Sequence, residues 1–184
     1  MKKLLITSAV VTALTSYGAM AIDANINFQG AVSSTTCNLN AADAAKTLTI
    51  PNVTAKNLLD SGSTGQYSAS SSFNFTDCPA GLTKVTSAYT YQGKTIFNEY
   101  ESDWAVANGA ANVAFAVMQS PKADESRRVR LDGRIKSTND ATITKGVATV
   151  PVTVGVAAFN SNGQYVMPSA GTYSGTFLVA FTYS

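Results

Sequence analysis

The 184-residue chain contains no histidine, only two cysteines and one tryptophan, and charged side chains make up just 13% of it. Each shortage removes a class of chemistry. Without an imidazole base there is no Ser-His-Asp or Cys-His nucleophilic centre, and zinc and copper sites lose their commonest ligand. Two-carboxylate glycoside chemistry stays formally open among the 11 acidic residues. Yet Glu101 and Asp103, the acidic pair beside Trp104, sit in NEYESDWAVANG, which reads as a connecting loop. The expectation is a non-enzymatic protein without a cofactor or metal. Net charge is also missing: once Lys2 and Lys3 are assigned to a leader, 11 basic residues face 11 acidic ones. That balance gives no case for nucleic acid or an anionic membrane surface. Arg127, Arg128, Arg130 and Arg134 cluster locally, but Asp124, Glu125 and Asp132 are interleaved with them, so the stretch reads as a solvated loop or edge strand. The triplets Asn52-Val53-Thr54 and Asn74-Phe75-Thr76 fit a glycosylation pattern that arises often by chance in a chain rich in Asn, Ser and Thr.

Long apolar runs are missing as well, apart from Leu4 to Leu14 near the start. That run follows Lys2 and Lys3 and precedes Ala19-Met20-Ala21, the order of a secretory signal peptide over residues 1–21. An uncleaved anchor fits less well, because the run is short for a bilayer and small residues follow it. Position 22 is Ile rather than Cys, so nothing suggests a lipid anchor. The expected mature protein begins at Ile22 and, at 163 residues, is one exported domain large enough for a real core. In an exported chain Cys37 and Cys78 are expected to pair rather than stay free thiols. Their disulfide closes a loop of about forty residues, worth about 4 kcal/mol in the chain-entropy view.

What remains is mostly period-two alternation. Strands are predicted over 26–35, 46–51, 71–76, 83–91, 112–118, 128–131, 147–157 and 172–183, separated by turn-rich pieces such as DSGSTGQ, CPAG, NGAAN, KSTND and NSNG. Residues 41–45 suit a short helical turn, and STGQYSASSS reads as a loop leading into a strand. About eight closely spaced strands point to a β-sandwich. Tyr89, Tyr91 and Tyr100 are read as packing locally.

The two ends stand out. In IDANINFQGAV the residues Ile22, Ala24, Ile26, Phe28, Gly30 and Val32 fall on one face and Asp23, Asn25, Asn27 and Gln29 on the other. In GTYSGTFLVAFTYS the residues Tyr173, Gly175, Phe177, Val179, Phe181 and Tyr183 share a face. A strand that apolar belongs inside a sheet, but no chain follows Ser184 to supply its next neighbour.

In that order, a leader, a short alternating arm with Phe28-Gln29-Gly30 ahead of Cys37, a second cysteine at Cys78, and a C-terminal strand with penultimate Tyr183 and Gly171 fourteenth from the end, the chain resembles a pilus (fimbrial) subunit of the chaperone–usher family, of the type 1 fimbrial kind. The resemblance implies an all-β, incomplete immunoglobulin-like sandwich over 37–184 that lacks its last strand. It implies a groove along the C-terminal strand residues Gly171, Tyr173, Gly175, Phe177, Val179, Phe181 and Tyr183. It also implies a donor-strand arm over 22–36 that inserts Ala24, Ile26, Phe28, Gly30 and Val32 into the groove of a neighbouring subunit, with Gly30 where the groove is shallow. The implied partners are a periplasmic pilus chaperone, an outer-membrane usher, neighbouring pilus subunits and, through the assembled pilus, host surface receptors. The implied location is the bacterial cell surface, reached through the periplasm. Either a major rod or a minor tip subunit fits; the expected mature length is short for an additional lectin domain, and the fifteen-residue arm is nearer to that of minor subunits. The alternative is an exported monomeric sandwich that binds a ligand, with IDANINFQGAV facing its own core. An exported enzyme is disfavoured by the missing histidines.

Overall fold

The computed structural model describes residues 24–31, 36–62, 66–97, 103–136 and 139–184. The expected signal peptide, Ile22 and Val32 lie outside them. Strands form wherever alternation runs for more than a few residues: β1 (Ala24–Ala31), β2 (Asn38–Leu39), β3 (Ala45–Ile50), β4 (Tyr67–Thr76), β5 (Lys84–Tyr91), β6 (Thr95–Phe97), β7 (Asp103–Val106), β8 (Asn108–Gly109), β9 (Ala114–Met118), β10 (Asp140–Thr142), β11 (Ala148–Ala157) and β12 (Tyr173–Tyr183). A single helix, α1 (Ala55–Asp60), and two 3-10 turns, Ala41–Asp43 and Glu125–Arg127, complete the described elements.

The strands make two sheets, one in the order β10-β5-β12-β1-β3 with β8 beside the start of β12, the other β2-β4-β11-β9-β7-β6. Their facing sides bury Ile50, Phe73, Phe75, Val85, Tyr89, Phe115, Val150, Val152, Val154 and Phe177, the arrangement of an aligned sandwich. β11 pairs with β4 along its length and with β9 only from Thr153 on. Pro151 therefore sits where the strand has one partner, a position that tolerates a missing N–H.

The disulfide between Cys37 and Cys78 is present and spans 41 residues of sequence. It ties the chain just before β2 to the end of β4, so the root of the N-terminal arm is covalently fixed to the second sheet. Cys78 is also held by its own N–H, which donates to the Gly146 carbonyl (2.9 Å).

Several expectations change in detail. Residues 128–131 are no strand. The Val129 N–H donates to the Val117 carbonyl on β9 (3.0 Å), while the Leu131 carbonyl accepts from Tyr91 on β5 (3.0 Å); the segment crosses from one sheet to the other, and neither ladder grows long. Separately, the Asn139 carbonyl accepts from the Ser87 N–H on β5 (3.1 Å). Within the arginine cluster, Arg128 is buried rather than solvated, its guanidinium 4.2 Å from the Trp104 ring centroid and 3.0 Å from Glu125. Stacking on an indole and pairing with a carboxylate are what allow a guanidinium to leave water. The run taken as a connecting loop supplies β7 and β8, whose four and two residues are too few for a period to declare itself. Trp104 packs under Phe159 (4.7 Å) and is buried; Glu101 and Tyr100 lie outside the described residues. α1 is a single unit capped by the Thr54 hydroxyl, which accepts from the Asn57 N–H (3.1 Å), and its buried Leu58 anchors it to the core. STGQYSASSS turns from loop to strand at Tyr67, earlier than expected.

Candidate functional site

The two ends singled out in the sequence meet. β1 lies in the first sheet between β12 and β3, parallel to β12 from Ala24 beside Tyr173 to Ala31 beside Ala180, and antiparallel to β3 from Ala24 beside Ile50 to Gln29 beside Ala45. All other strand pairings among the described residues are antiparallel. The arm thus occupies a slot whose walls come from the chain's own β3 and β12, the own-core placement of the two weighed from sequence.

Alternation sets what fills the slot. Ile26 and Phe28 are completely buried, while Asn25, Asn27 and Gln29 face solvent. Ala24 and Gly30 occupy register positions beside Tyr173 and Val179. The Phe28 ring stacks on Phe177 (centroids 5.5 Å apart) and meets Phe73 of the second sheet edge-on (6.0 Å). Phe177 in turn touches Tyr91 (4.9 Å) and Phe115 (6.2 Å). Farther along, Phe181 packs against Phe73 (5.2 Å) and Phe75 (4.9 Å), and Tyr183 against Phe75 (5.9 Å). The floor of the slot is a column of aromatic rings, and burying the two arm side chains on it contributes about 3 to 6 kcal/mol.

On β12 the inward face is Tyr173, Gly175, Phe177, Val179 and Phe181, with Tyr183 half-buried at the end, and Leu178, Ala180 and Thr182 point outward. Gly171 lies in the bend before the strand. Gly175, the register neighbour of Ile26, is where the second sheet presses closest. A Cβ there would stand 2.9 Å from Cε2 of Phe115 and 3.3 Å from Cε2 of Tyr91, so the missing side chain is what admits the Phe115 ring. At the head of β12, Gly109 of β8 combines φ of +103° with a would-be Cβ only 2.3 Å from the Thr172 carbonyl oxygen, and no other residue meets both demands.

The β3 rim is pinned by charge. Lys46, the register partner of Phe28, places its ammonium 2.6 Å from Asp43 and 5.9 Å from the Phe73 centroid. The other Asp43 oxygen accepts from the Asn74 backbone N–H (2.7 Å) and side-chain amide (3.0 Å). Burial alone pulls the Asp43 carboxyl up, but the bonds from Lys46 and Asn74 outweigh it and hold it below its ordinary value of 3.8. On the outer surface the Thr47 hydroxyl donates to Asn27 Oδ1 (2.9 Å). The sequence reading missed Asp43, Lys46, Asn74, Phe73 and Phe115, since a rim and a floor contributed by other strands leave no local pattern.

The slot offers backbone donors and acceptors on two flanks and an apolar floor, the requirements of an inserted strand. Among the described residues no group of three or more His, Cys, Asp and Glu side chains could hold a metal ion.

Neither the protein-family models nor the curated proteins give a match to the sequence. Solved structures do. The chain is similar to the P pilus rod subunit PapA, at 18% identity and a TM-score of 0.55 over 81% of this chain and 99% of that one. It is similar also to a subunit in the structure of a chaperone–usher pilus, at 16% identity and a TM-score of 0.63 over 98% of this chain and all of that one. The fold is therefore that of pilus subunits, the incomplete immunoglobulin-like sandwich.

Proposed function

We propose that this chain is a structural, non-catalytic subunit of a chaperone–usher pilus, either rod or minor tip, which polymerises when the arm of one copy enters the slot between β3 and β12 of another. The observation that carries this reading is the position of β1, a central strand with Ile26 and Phe28 buried and paired on one flank with β12 and on the other with β3. A strand of that kind can be exchanged between identical chains, because the slot recognises the arm's sequence and not its origin. One heterologous contact repeated head to tail makes a fibre. The chain-long likeness of fold to pilus subunits supports the same reading.

In this scheme Ala24, Ile26, Phe28, Gly30 and Val32 are the donor residues, Gly30 passing the shallow part of the slot. Residues 1–21 are the signal peptide, 22–36 the arm and 37–184 the acceptor domain. A periplasmic chaperone and an outer-membrane usher are the assembly partners, and the cell surface is the destination. The test is a chain lacking residues 22–32. It should join an intact copy as acceptor but form no fibre by itself, whereas the intact chain gives a ladder of detergent-resistant oligomers. A deleted chain that polymerises as well as the intact one would refute the reading.

A further inference from the structure

The ends of the two sheets are guarded unequally. A strand with one free flank invites pairing with another chain, and proteins blunt such flanks by keeping them short or by placing charge or proline on them. In the first sheet the outer strands are β10, three residues with Asp140, and β3, six residues with Lys46 and followed by Pro51. In the second sheet β6, at one end, has three residues. At the other end β2 covers only Phe75 and Thr76 of β4. Among the described strands, β4 therefore has β11 on one flank and no strand on the other from Tyr67 to Asn74. Its ten residues, YSASSSFNFT, include no charge, no proline and no glycine.

The direction of its backbone groups follows from its neighbours. On the uncovered flank the Asn74 carbonyl accepts from the Asn40 N–H (3.0 Å), and the Asn74 N–H donates to Asp43 (2.7 Å). β4 pairs with β11 without a break in register from Tyr67 to Phe75, so every second residue repeats that orientation. Ser72, Ser70 and Ser68 thus turn their N–H and C=O groups away from β11. Side chains agree with this: Ser70 Oγ meets Thr153 Oγ1 (2.7 Å) and Thr149 Oγ1 donates to Asn74 Oδ1 (3.1 Å), the close contacts expected between opposed residues that exchange no backbone bonds. Ser70 is exposed.

We propose that this edge joins a second copy of the chain, β4 against β4, antiparallel about Ser70. Sequence and charge select that partner. A two-fold contact sets each residue against its counterpart across the axis, so a charged strand would oppose like charges there, and β4 has none. The seven residues centred on Ser70 also run nearly alike in both directions: Ser70 falls opposite itself, Ala69 opposite Ser71, Ser68 opposite Ser72 and Tyr67 opposite Phe73. That same register aligns the outward backbone groups. Ser68, Ser70 and Ser72 meet the partner's Ser72, Ser70 and Ser68, each pair exchanging both of its hydrogen bonds, and the second sheets of the two copies become one. A two-fold contact closes on itself, so it yields pairs and no larger assembly. The slot for the arm lies between β12 and β3 of the first sheet, and the lateral contact leaves those strands alone. The chain can pair sideways whichever arm its slot holds.

Sedimentation velocity on the freshly isolated full-length mature chain, from micromolar to millimolar, reads the pairing. The mass should rise from one chain to two and stop, and the pair should dissolve in detergent, unlike oligomers joined by arms. Ser70→Pro removes an edge N–H without taking a bond from the β11 ladder, and Ser70→Lys opposes two like charges. Each should raise the dissociation constant about tenfold or more, while the uncharged Ser70→Thr stays within about twofold of wild type. Hydrogen exchange on the wild-type chain gives a check independent of any variant. From dilute to concentrated protein the amides of Ser68, Ser70 and Ser72 should slow about tenfold or more, and those of Ala69, Ser71 and Phe73, already bonded to β11, should not change. A chain that stays single at every concentration overturns the proposal. So does a pair that both variants leave intact, or one that forms without slowing exchange at the three serines, since its contact then lies elsewhere. Detergent-resistant oligomers with no protection of that edge would overturn the lateral contact and leave the arm-exchange reading standing.

Discussion

Replacing Phe28 with Ala tests most directly whether the arm belongs to the core. Its ring is fully buried and makes two aromatic contacts, with Phe177 at 5.5 Å and Phe73 at 6.0 Å. Truncating a buried Phe to Ala costs about 3 to 5 kcal/mol, the lost transfer energy plus the cavity left behind. The aromatic pairs place the substitution toward the upper end, since each is worth about 0.5 to 1.5 kcal/mol beyond area. The slot cannot collapse easily around the void, because its walls are held by ladders on both sides and Lys46 is fixed by Asp43. Urea unfolding of the disulfide-intact monomer, followed by circular dichroism, reads the difference. With a slope of about 2 kcal/mol per molar urea, the midpoint should fall by about 2 M. Gln29→Ala, one residue on and solvent-facing, is the control and should shift stability by less than about 0.5 kcal/mol. A Phe28→Ala chain within 1 kcal/mol of wild type would mean that the arm does not fill the slot in solution, and the account of the groove would fall with it.

Further outcomes follow from the groove's neighbours. Gly175→Ala should destabilise by about 1 to 3 kcal/mol, as expected of overpacking, because the new Cβ meets Phe115 at 2.9 Å; thermal unfolding measures it, and pairing the change with Phe115→Leu should recover part of the loss. Asp43→Asn should cost about 3 kcal/mol at neutral pH, since it leaves Lys46 without its partner. Because the folded carboxyl is held below 3.8, its contribution is fully present above that value and is lost as pH falls through the lowered one. The gap between variant and wild type should therefore close in acid, and a gap constant down to pH 2 would contradict the assignment. Burial pushes the Tyr89 hydroxyl up to about 12 and raises Tyr91 and Tyr183 as well. A raised folded value means stability intact below the ordinary 10.0 and lost as pH climbs toward about 12. Tyrosinate absorbance should then appear together with unfolding, not before it.

The long alternating segments were legible without coordinates, because a strand of eight or more residues with one buried face writes that face into every second position. β12 is the clearest case: Tyr173, Gly175, Phe177, Val179 and Phe181 all turn inward as the alternation required. The inward Ile26 and Phe28 of β1 were legible for the same reason, and the Cys37–Cys78 pairing followed from two thiols in a chain whose sequence reads as exported. The short strands β6, β7 and β8 were not, since two to four residues carry no measurable period, and residues 128–131 misled because a strand-like composition serves equally a segment that bonds to two sheets in turn.

What the sequence by itself determined is which residues of the long strands face a core, β1 and β12 among them. Which core the arm serves, and in which direction, was decided only in three dimensions. The slot is assembled from β3, β12 and the rings of Phe73 and Phe115, parts far apart in the chain, and its floor exists only once the two sheets have packed. Alternation has a period but no polarity: it reads the same for a strand running either way beside β12. Only the folded chain shows the choice, with β1 parallel to β12 and antiparallel to β3.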